Sequence, residues 1–447
     1  MVPAMGTMPA GTTTVINQSN GPQRDPHVSG SLVSYSDEAP VPSRIHVFNL
    51  GTGIDSTIAG TSSEHDFLSD VSGTNVVFTR IFSTRSAIMR YDTTGGTVSE
   101  LDPQPASDRI GSAIGGGTVA WMDMAFAGTS GQPEVVAYDL AGGISTRLTS
   151  DAAYDSDAAV SPGGDVIVWT KCTGSGGTSG CDIYKAVRSG SAWTATGLPL
   201  LGEEAQPDTD GTIVVYGSDR AGELDIYWQP VSGGSEEKVT LAGRQRNPNV
   251  SNGLISFEHE DPSSSLLNWD IALYEVATNT LYRLTSTTQN EYLNDIDFDP
   301  VTRQVRVVFT QTNNGTGDDV HALTFTLPAS PSYTFTGFFS PVNNLPTVNA
   351  VNAGRAVPVK FSLGGDQGLD IFEAGYPKSQ QIACDSTASV DGIEETVTAG
   401  GSSLSYDSAS DQYTYVWKTD KAWAGTCRQL VLKLDDGSSH RANFKLK

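Results

Sequence analysis

Positive charge is what this chain has least of for its size. Only 27 Lys and Arg stand against 51 Asp and Glu, a net charge of −24. From residue 331 onward 10 basic residues nearly balance 12 acidic ones, so about −22 falls on residues 1–330. Such a surface repels nucleic acid and anionic membranes, and neither is expected as a partner. No apolar run is long enough to form a membrane-spanning helix, so membrane insertion is not expected either. The opening "MVPAMGTMPAGTTT" has neither a basic start nor an apolar core and does not read as a secretory signal. Either a signal was removed ahead of this numbering or the start is a junction. Histidine is scarce, at six residues, and a Gly-x-Ser-x-Gly nucleophile elbow is absent. The loop "GTSGQ" comes nearest and lacks the strand–turn–helix setting that such an elbow needs.

Cysteine is also sparse, and its four copies form two local pairs. Cys172 and Cys181 flank "TGSGGTSG", while Cys384 and Cys427 both lie near the C-terminus. The even number, the segregation and the lack of CxxC or Cys/His ligand spacing favour disulfides over zinc. Each bridge would stabilise by about 2–4 kcal/mol. An oxidising compartment follows, hence a secreted or cell-surface protein; four free thiols in a cytosolic protein is the alternative.

What the chain has in plenty is β-structure signal. Its 47 glycines and abundant Thr, Ser, Val and Tyr favour an all-β protein. Seven segments share a short strand, a tight turn and an apolar strand ending in an aromatic residue. They are "DPHVSGSLVSY" from Asp25, "LSDVSGTNVVF" from Leu68, "GSAIGGGTVAW" from Gly111, "DAAVSPGGDVIVW" from Asp157, "QPDTDGTIVVY" from Gln206, "NPNVSNGLISF" from Asn247 and "DIDFDPVTRQVRVVF" from Asp295. A third strand of the type "EVVAYDL" or "LDIYWQP" follows each, then in most a turn and a fourth strand such as "STRLTS". Four short antiparallel strands every 40–50 residues is the period of a β-propeller blade. The seventh segment lacks its fourth strand, and "GTTTVINQSN" at residues 11–20 matches the missing piece. A closed ring needs that strand to remove its exposed edges. The expected architecture is therefore a seven-bladed propeller over 11–327, closed by the N-terminal strand; six blades plus a stray sheet is the rival count.

The pattern P-x-V-S-G-x-x-V-V-Y … D-I-Y … L-T resembles the TolB-like or WD40-like propeller repeats of bacterial proteins. The G-H…W-D signature of true WD40 repeats is absent. After a linker at 328–332, the stretch 333–447 resembles the PxKF domain, whose motif here reads Pro358-Val359-Lys360-Phe361. "GYPKSQQIACD" and "YTYVWKTDKAWAGTCRQLVLKLDDGSSHRANFKLK" belong to the same likeness. The resemblance implies a secreted bacterial protein with an appended Ig-like β-sandwich. The residues agree, since "AVPVKFSL" and "RQLVLKL" alternate apolar with polar as half-buried strands do. Lys360 then reads as a solvent-facing lysine rather than half of a salt bridge.

Chemistry in a propeller gathers at the central channel, which the first strand of each blade lines. Counting back from each strand's apolar anchor, positions one, three and five before it should share the channel face. With Val28, Val71, Ile114, Val160, Thr209, Val250 and Phe298 as anchors, carboxylates recur there. Asp25, Asp66, Asp70, Glu204 and Asp208 are the candidate ligand-binding residues. Asp155, Asp157, Asp295 and Asp297 are candidate ligands for Ca²⁺, because several oxygen donors suit a hard cation. Simple solvation of a polar channel is the competing reading, and neither "DAAYDSD" nor "NDIDFD" has EF-hand spacing. No cofactor other than Ca²⁺ is indicated. His27 and His65 are too few for the histidine cluster around a metal that some uronate lyases use. The function expected is non-catalytic: a scaffold that binds an extracellular glycan or protein, or self-assembles by strand addition at its N-terminal segment or sandwich edges. A carbohydrate-active lyase or hydrolase at the channel is the alternative.

Overall fold

A computed structural model describes residues 3–8, 10–17, 19–39, 41–104, 107–124, 132–174, 177–198, 200, 202–262, 268–313, 317–328, 333–369, 371–372, 376–384 and 404–447. The expected linker beyond Pro328, and all of "GTSGQ" but Gln132, lie outside them. The chain divides into two compact units, Met1–Pro328 and Ala329–Lys447. Among the described residues both are built of strands, and none of their helices is long and apolar enough to cross a membrane.

The first unit is a set of four-stranded antiparallel meanders, the blades of a β-propeller. The first comprises Gln23–Ser29, Leu32–Asp37, Arg44–Asn49 and Ile54–Thr57. Later sheets repeat it over 65–100, 109–147, 154–197, 204–238 and 244–283. A last sheet joins Glu291–Asp299, Gln304–Asn313 and Gly317–Thr326 to Gly11–Asn17, with Gly11 opposite Phe325. Second strands such as Val166–Cys172 are buried along their whole length, because each blade packs both faces against neighbours. The apolar clusters lie between sheets: Val77 and Ile88 of one blade meet Ile114, Val119 and Trp121 of the next. Trp121 and Trp169 are fully buried there.

Ile16, on the closing strand, packs with Val28 and Tyr35 of the first sheet and Val308 and Val320 of the last. The N-terminal segment is thus engaged within the molecule, as the outer strand of the last sheet. Ala4–Met5 adds a parallel fifth strand beside Thr280–Arg283.

The second unit holds two four-stranded sheets around one core that includes Val359, Phe361, Trp417, Leu432 and Phe444. Lys360 lies half-buried between Val359 and Phe361. Disulfides join Cys172 to Cys181 and Cys384 to Cys427. Cys172 and Cys181 stand opposite one another on paired strands.

If Gly11–Asn17 closes the ring through its core contacts, Ile16→Ala should destabilise the first unit by about 2–4 kcal/mol. Urea unfolding would read this; a change within error would mean that the strand's hydrogen bonds suffice alone.

Candidate functional site

Every first strand contains one residue more than its partner opposes. Arg24 pairs with Ser36 and His27 with Ser34, so two residues face one, and the same slip recurs at the corresponding place in each sheet. The residue three before the anchor adopts a left-handed backbone in every case: Asp25, Leu68, Gly111, Asp157, Gln206, Asn247 and Leu293, with φ between 48° and 65°. A bulge of this kind breaks the period-two alternation.

Two corrections follow. First, the residues five before the anchor do not face the channel. Asp66, Asp155 and Glu204 are fully buried inside their sheets, as are Gln23, Gln245 and Glu291. Asp66 holds Arg80 through bonds of 2.7 and 2.8 Å, and Arg80 in turn donates to the Ala59 carbonyl. Asp155 accepts from the Trp169 indole at 3.0 Å, and Glu204 from Ser218 at 3.2 Å. Gln23 and Gln245 each donate to the carbonyl two residues earlier, at 2.8 and 3.0 Å. These side chains fasten the loops that enter each blade; Asp66, Asp155 and Glu204 are structural.

Second, the seventh anchor is Ile296 rather than Phe298, because the bulge falls between Tyr292 and Asp295. Asp295 therefore stands one before its anchor, equivalent to Asp70 and Asp208. Trp228 and Trp269 are both engaged within the molecule. Trp228 packs on an apolar cluster, and Arg246 covers the Trp269 ring at 4.0 Å.

The channel itself encloses a cavity of about 350 Å³. Asp25, Asp70, Asp157, Asp208, Asp295 and Asp297 line it, with His27 and Asn249. Three of these aspartates tie blades together. Asp70 accepts from the backbone N–H of Ile114 at 2.7 Å, Asp208 from Val250 at 2.7 Å, and Asp295 from Val28 at 2.8 Å. Each bond runs from one blade to the anchor of the next, and the last links the final sheet to the first. Asp297 pairs with Arg306 at 2.8 Å. Asp157 is exposed to the channel.

His27 is the one imidazole on this lining, about 30% exposed, with carboxylate oxygens of Asp25, Asp70 and Asp295 each 3.7 Å from a ring nitrogen. Burial disfavours its charge, but contact with Asp25 and the fields of Asp70 and Asp295 prevail and hold it up to about 10. Burial pushes Asp208 up to about 7 despite its backbone bonds. It pushes Asp295 up to about 6 against the pull of His27, and raises Asp70 as well. His65 is outside this lining, and His46 contacts Asp55 at 2.9 Å in the first sheet. Among the described residues no three His, Cys, Asp or Glu side chains are grouped so as to hold a metal ion.

No protein-family model matches the chain, and no curated protein matches it. Solved structures do. An oligogalacturonate lyase in complex with manganese is 11% identical, covering 72% of this chain and 94% of its own, with TM-score 0.52. The β-propeller domain of the Trilobed protease from Pyrococcus furiosus, described as having an open velcro topology, is 10% identical, covering 70% and 97%, with TM-score 0.53. A second oligogalacturonate lyase, from Vibrio parahaemolyticus, is 10% identical over 70% and 93%, with TM-score 0.53. At such identity the likeness establishes the propeller fold and carries no activity across.

The pKa shifts fix a pH dependence. His27 binds its proton more tightly folded than unfolded, so its stabilisation is complete below 6.5 and lost as pH rises through about 10. Asp208 and Asp295 keep protons, when folded, that the unfolded chain releases near 3.8, so they too weaken the fold as pH rises, through about 7 and 6. The His27 ring should remain protonated at pH 8 by NMR, and its midpoint should drop in Asp70→Asn. Stability should fall from about pH 7 to 10 by at most about 1.4 kcal/mol per unit from this group. An imidazole midpoint at the ordinary value would refute the clasp.

Proposed function

We propose that this is a secreted, non-catalytic binding scaffold: a seven-bladed propeller carrying a C-terminal Ig-like sandwich of PxKF type, with a channel that takes a cationic group. The observation that carries this reading is how the channel carboxylates are used. Asp70, Asp208 and Asp295 are committed to backbone N–H groups of the following blade, and the single imidazole is clasped among three aspartates. A protonated, clasped His27 is a poor general base at neutral pH. What remains is a negative potential inside a narrow, low-dielectric passage, which concentrates cations. Ca²⁺, or an ammonium or guanidinium group of a partner protein, is the matching chemistry, and Asp157, exposed on the lining, is available to meet it. The two disulfides and the PxKF likeness support an extracellular setting.

The alternative, a carbohydrate-active lyase or hydrolase, draws on the fold shared with oligogalacturonate lyases. Six aspartates against one imidazole would repel an anionic uronate chain from this cavity.

Incubation with polygalacturonate and with neutral glycans should release no product, whereas release that Asp157→Ala abolishes would overturn the non-catalytic reading. Calorimetric titration with Ca²⁺ at low salt should give saturable binding that Asp157→Asn weakens. Light scattering should return the 47.2 kDa monomer with Ca²⁺ and with chelator alike. Large species lost on chelation would replace this reading with a calcium-assembled structural protein.

A further inference from the structure

A second concavity lies away from the channel, where the first two blades meet. It is an open groove of about 670 Å³. Turns one–two and three–four of an antiparallel meander fall at the same end of the sheet, so the turns after Ser29 and Asn49 share this wall. The second blade contributes the turn at Gly73–Thr74 and the end of its third strand, Tyr91 and Thr93.

Its chemistry is unlike the rest of the unit. None of its thirteen lining residues is charged, in a chain of net charge −24. The apolar part is Leu32, Val47, Ile54 and one aromatic, Tyr91; hydroxyls and an amide make up the remainder with two glycines. Strand alternation produces this neutrality, because Asp55, between Ile54 and Ser56, turns to the other face and accepts from the Tyr35 hydroxyl at 2.8 Å. The Asn49 carbonyl oxygen is taken by the N–H groups of Gly51 and Thr52. Its amide nitrogen, like the hydroxyls of Ser31, Ser56 and Thr74, has no protein partner among the described residues.

Two other blade junctions are bridged at this height by an ion pair. The residue that ends the third strand is Asp139 in the third sheet and Glu275 in the sixth, and each is bridged by an arginine of the following blade, Arg188 and Arg303. Those ion pairs span the corresponding junctions. In the first blade the equivalent residue is Asn49, and the second blade offers Tyr91 and Thr93 in place of an arginine.

We propose that this groove binds a neutral oligosaccharide: sugar hydroxyls meet the Ser, Thr and Asn donors, and a pyranose face lies on the Tyr91 and aliphatic surface. An anionic sugar would find no cation here, and a peptide of either charge no counter-ion. The inference rests on the binding-scaffold reading and assigns that scaffold its ligand class.

Gly30 and Gly73 supply the test. Both have φ near +57°, and a Cβ on either meets nothing within 4 Å. The matching turn position in the sixth sheet is Asn252, with φ 47°, so asparagine fits this backbone. Gly73→Asn and Gly30→Asn should therefore fold and place a side chain in the groove. Calorimetric titration of the full chain with cellohexaose, maltohexaose, laminarihexaose and, as the anionic control, hexagalacturonate would decide the matter. At least one neutral hexasaccharide should bind, with affinity unchanged between low and high salt. Gly73→Asn or Tyr91→Ala should weaken it at least about tenfold, 1.4 kcal/mol, with unchanged circular dichroism. Asp157→Asn in the channel should leave it intact. Binding of hexagalacturonate alone, no neutral binding, or binding indifferent to both groove substitutions would overturn the groove assignment and leave the scaffold standing. Cleavage of a bound hexasaccharide would instead overturn the non-catalytic reading and leave the groove.

Discussion

One extra residue in each innermost strand governs this propeller. Held left-handed at Asp25, Leu68, Gly111, Asp157, Gln206, Asn247 and Leu293, it lets the next residue, as Ser69 and Asn294, bond to the preceding blade and the one after, as Asp70, Asp208 and Asp295, to the following blade. A left-handed residue costs an L-amino acid about 1–2 kcal/mol, least for Gly, Asn and Asp. Four of the seven positions hold one of those three. The strain is offset by what the bulge makes possible. The preceding polar residue is carried into the sheet to hold the entry loop, and the following carboxylate reaches a backbone N–H across the blade boundary.

Those crossing bonds tie channel chemistry to the integrity of the ring. Blades in a propeller touch mainly through apolar faces, which slide easily, whereas a carboxylate on a backbone donor fixes the relative height of neighbours. Asp295 on Val28 does so at the seam where Gly11–Asn17 completes the last sheet. Gathering acids around a narrow passage has an electrostatic cost, and His27 supplies the counter-charge where three of them converge. Three of the six channel aspartates, Asp70, Asp208 and Asp295, thus serve as fasteners between blades.

The repeating strands, the four-stranded sheets and the partner of residues 11–17 were legible because hydrophobic periodicity and edge satisfaction leave few alternatives. The candidate site was legible only in part. Asp25, Asp70, Asp157, Asp208, Asp295 and Asp297 line the cavity, whereas Asp66, Asp155 and Glu204 do not, since strict alternation was carried through a bulge. A signal for that bulge was present. Pro26, Pro207 and Pro248 follow the left-handed residue in three blades, and proline within a strand belongs at an edge or a bulge. Asp25 and Asn247 just before two of them support the same reading. The seventh anchor slipped because "DIDFD" offers apolar residues at both Ile296 and Phe298, and spacing alone cannot choose between them. The blade-junction groove had no signal in any single repeat, since it arises from what two neighbouring blades lack.

Repeats make such differences informative. When one backbone pattern recurs around a ring, the positions that keep their chemistry report on the fold, and the positions that depart from it report on what a particular blade is for. The buried polar residue five before each anchor persists in kind, as Gln, Asp, Arg or Glu, and each has a structural partner. The end of the third strand does not persist: Asp139 and Glu275 meet an arginine of the following blade, Asp92 pairs with Arg90 of its own strand, and Asn49 is uncharged. Loss of an ion pair on the surface costs little stability, about 0–1 kcal/mol, so a junction can be opened at small cost to the ring. An acidic channel and an uncharged groove therefore coexist in one unit, built almost entirely from different residues.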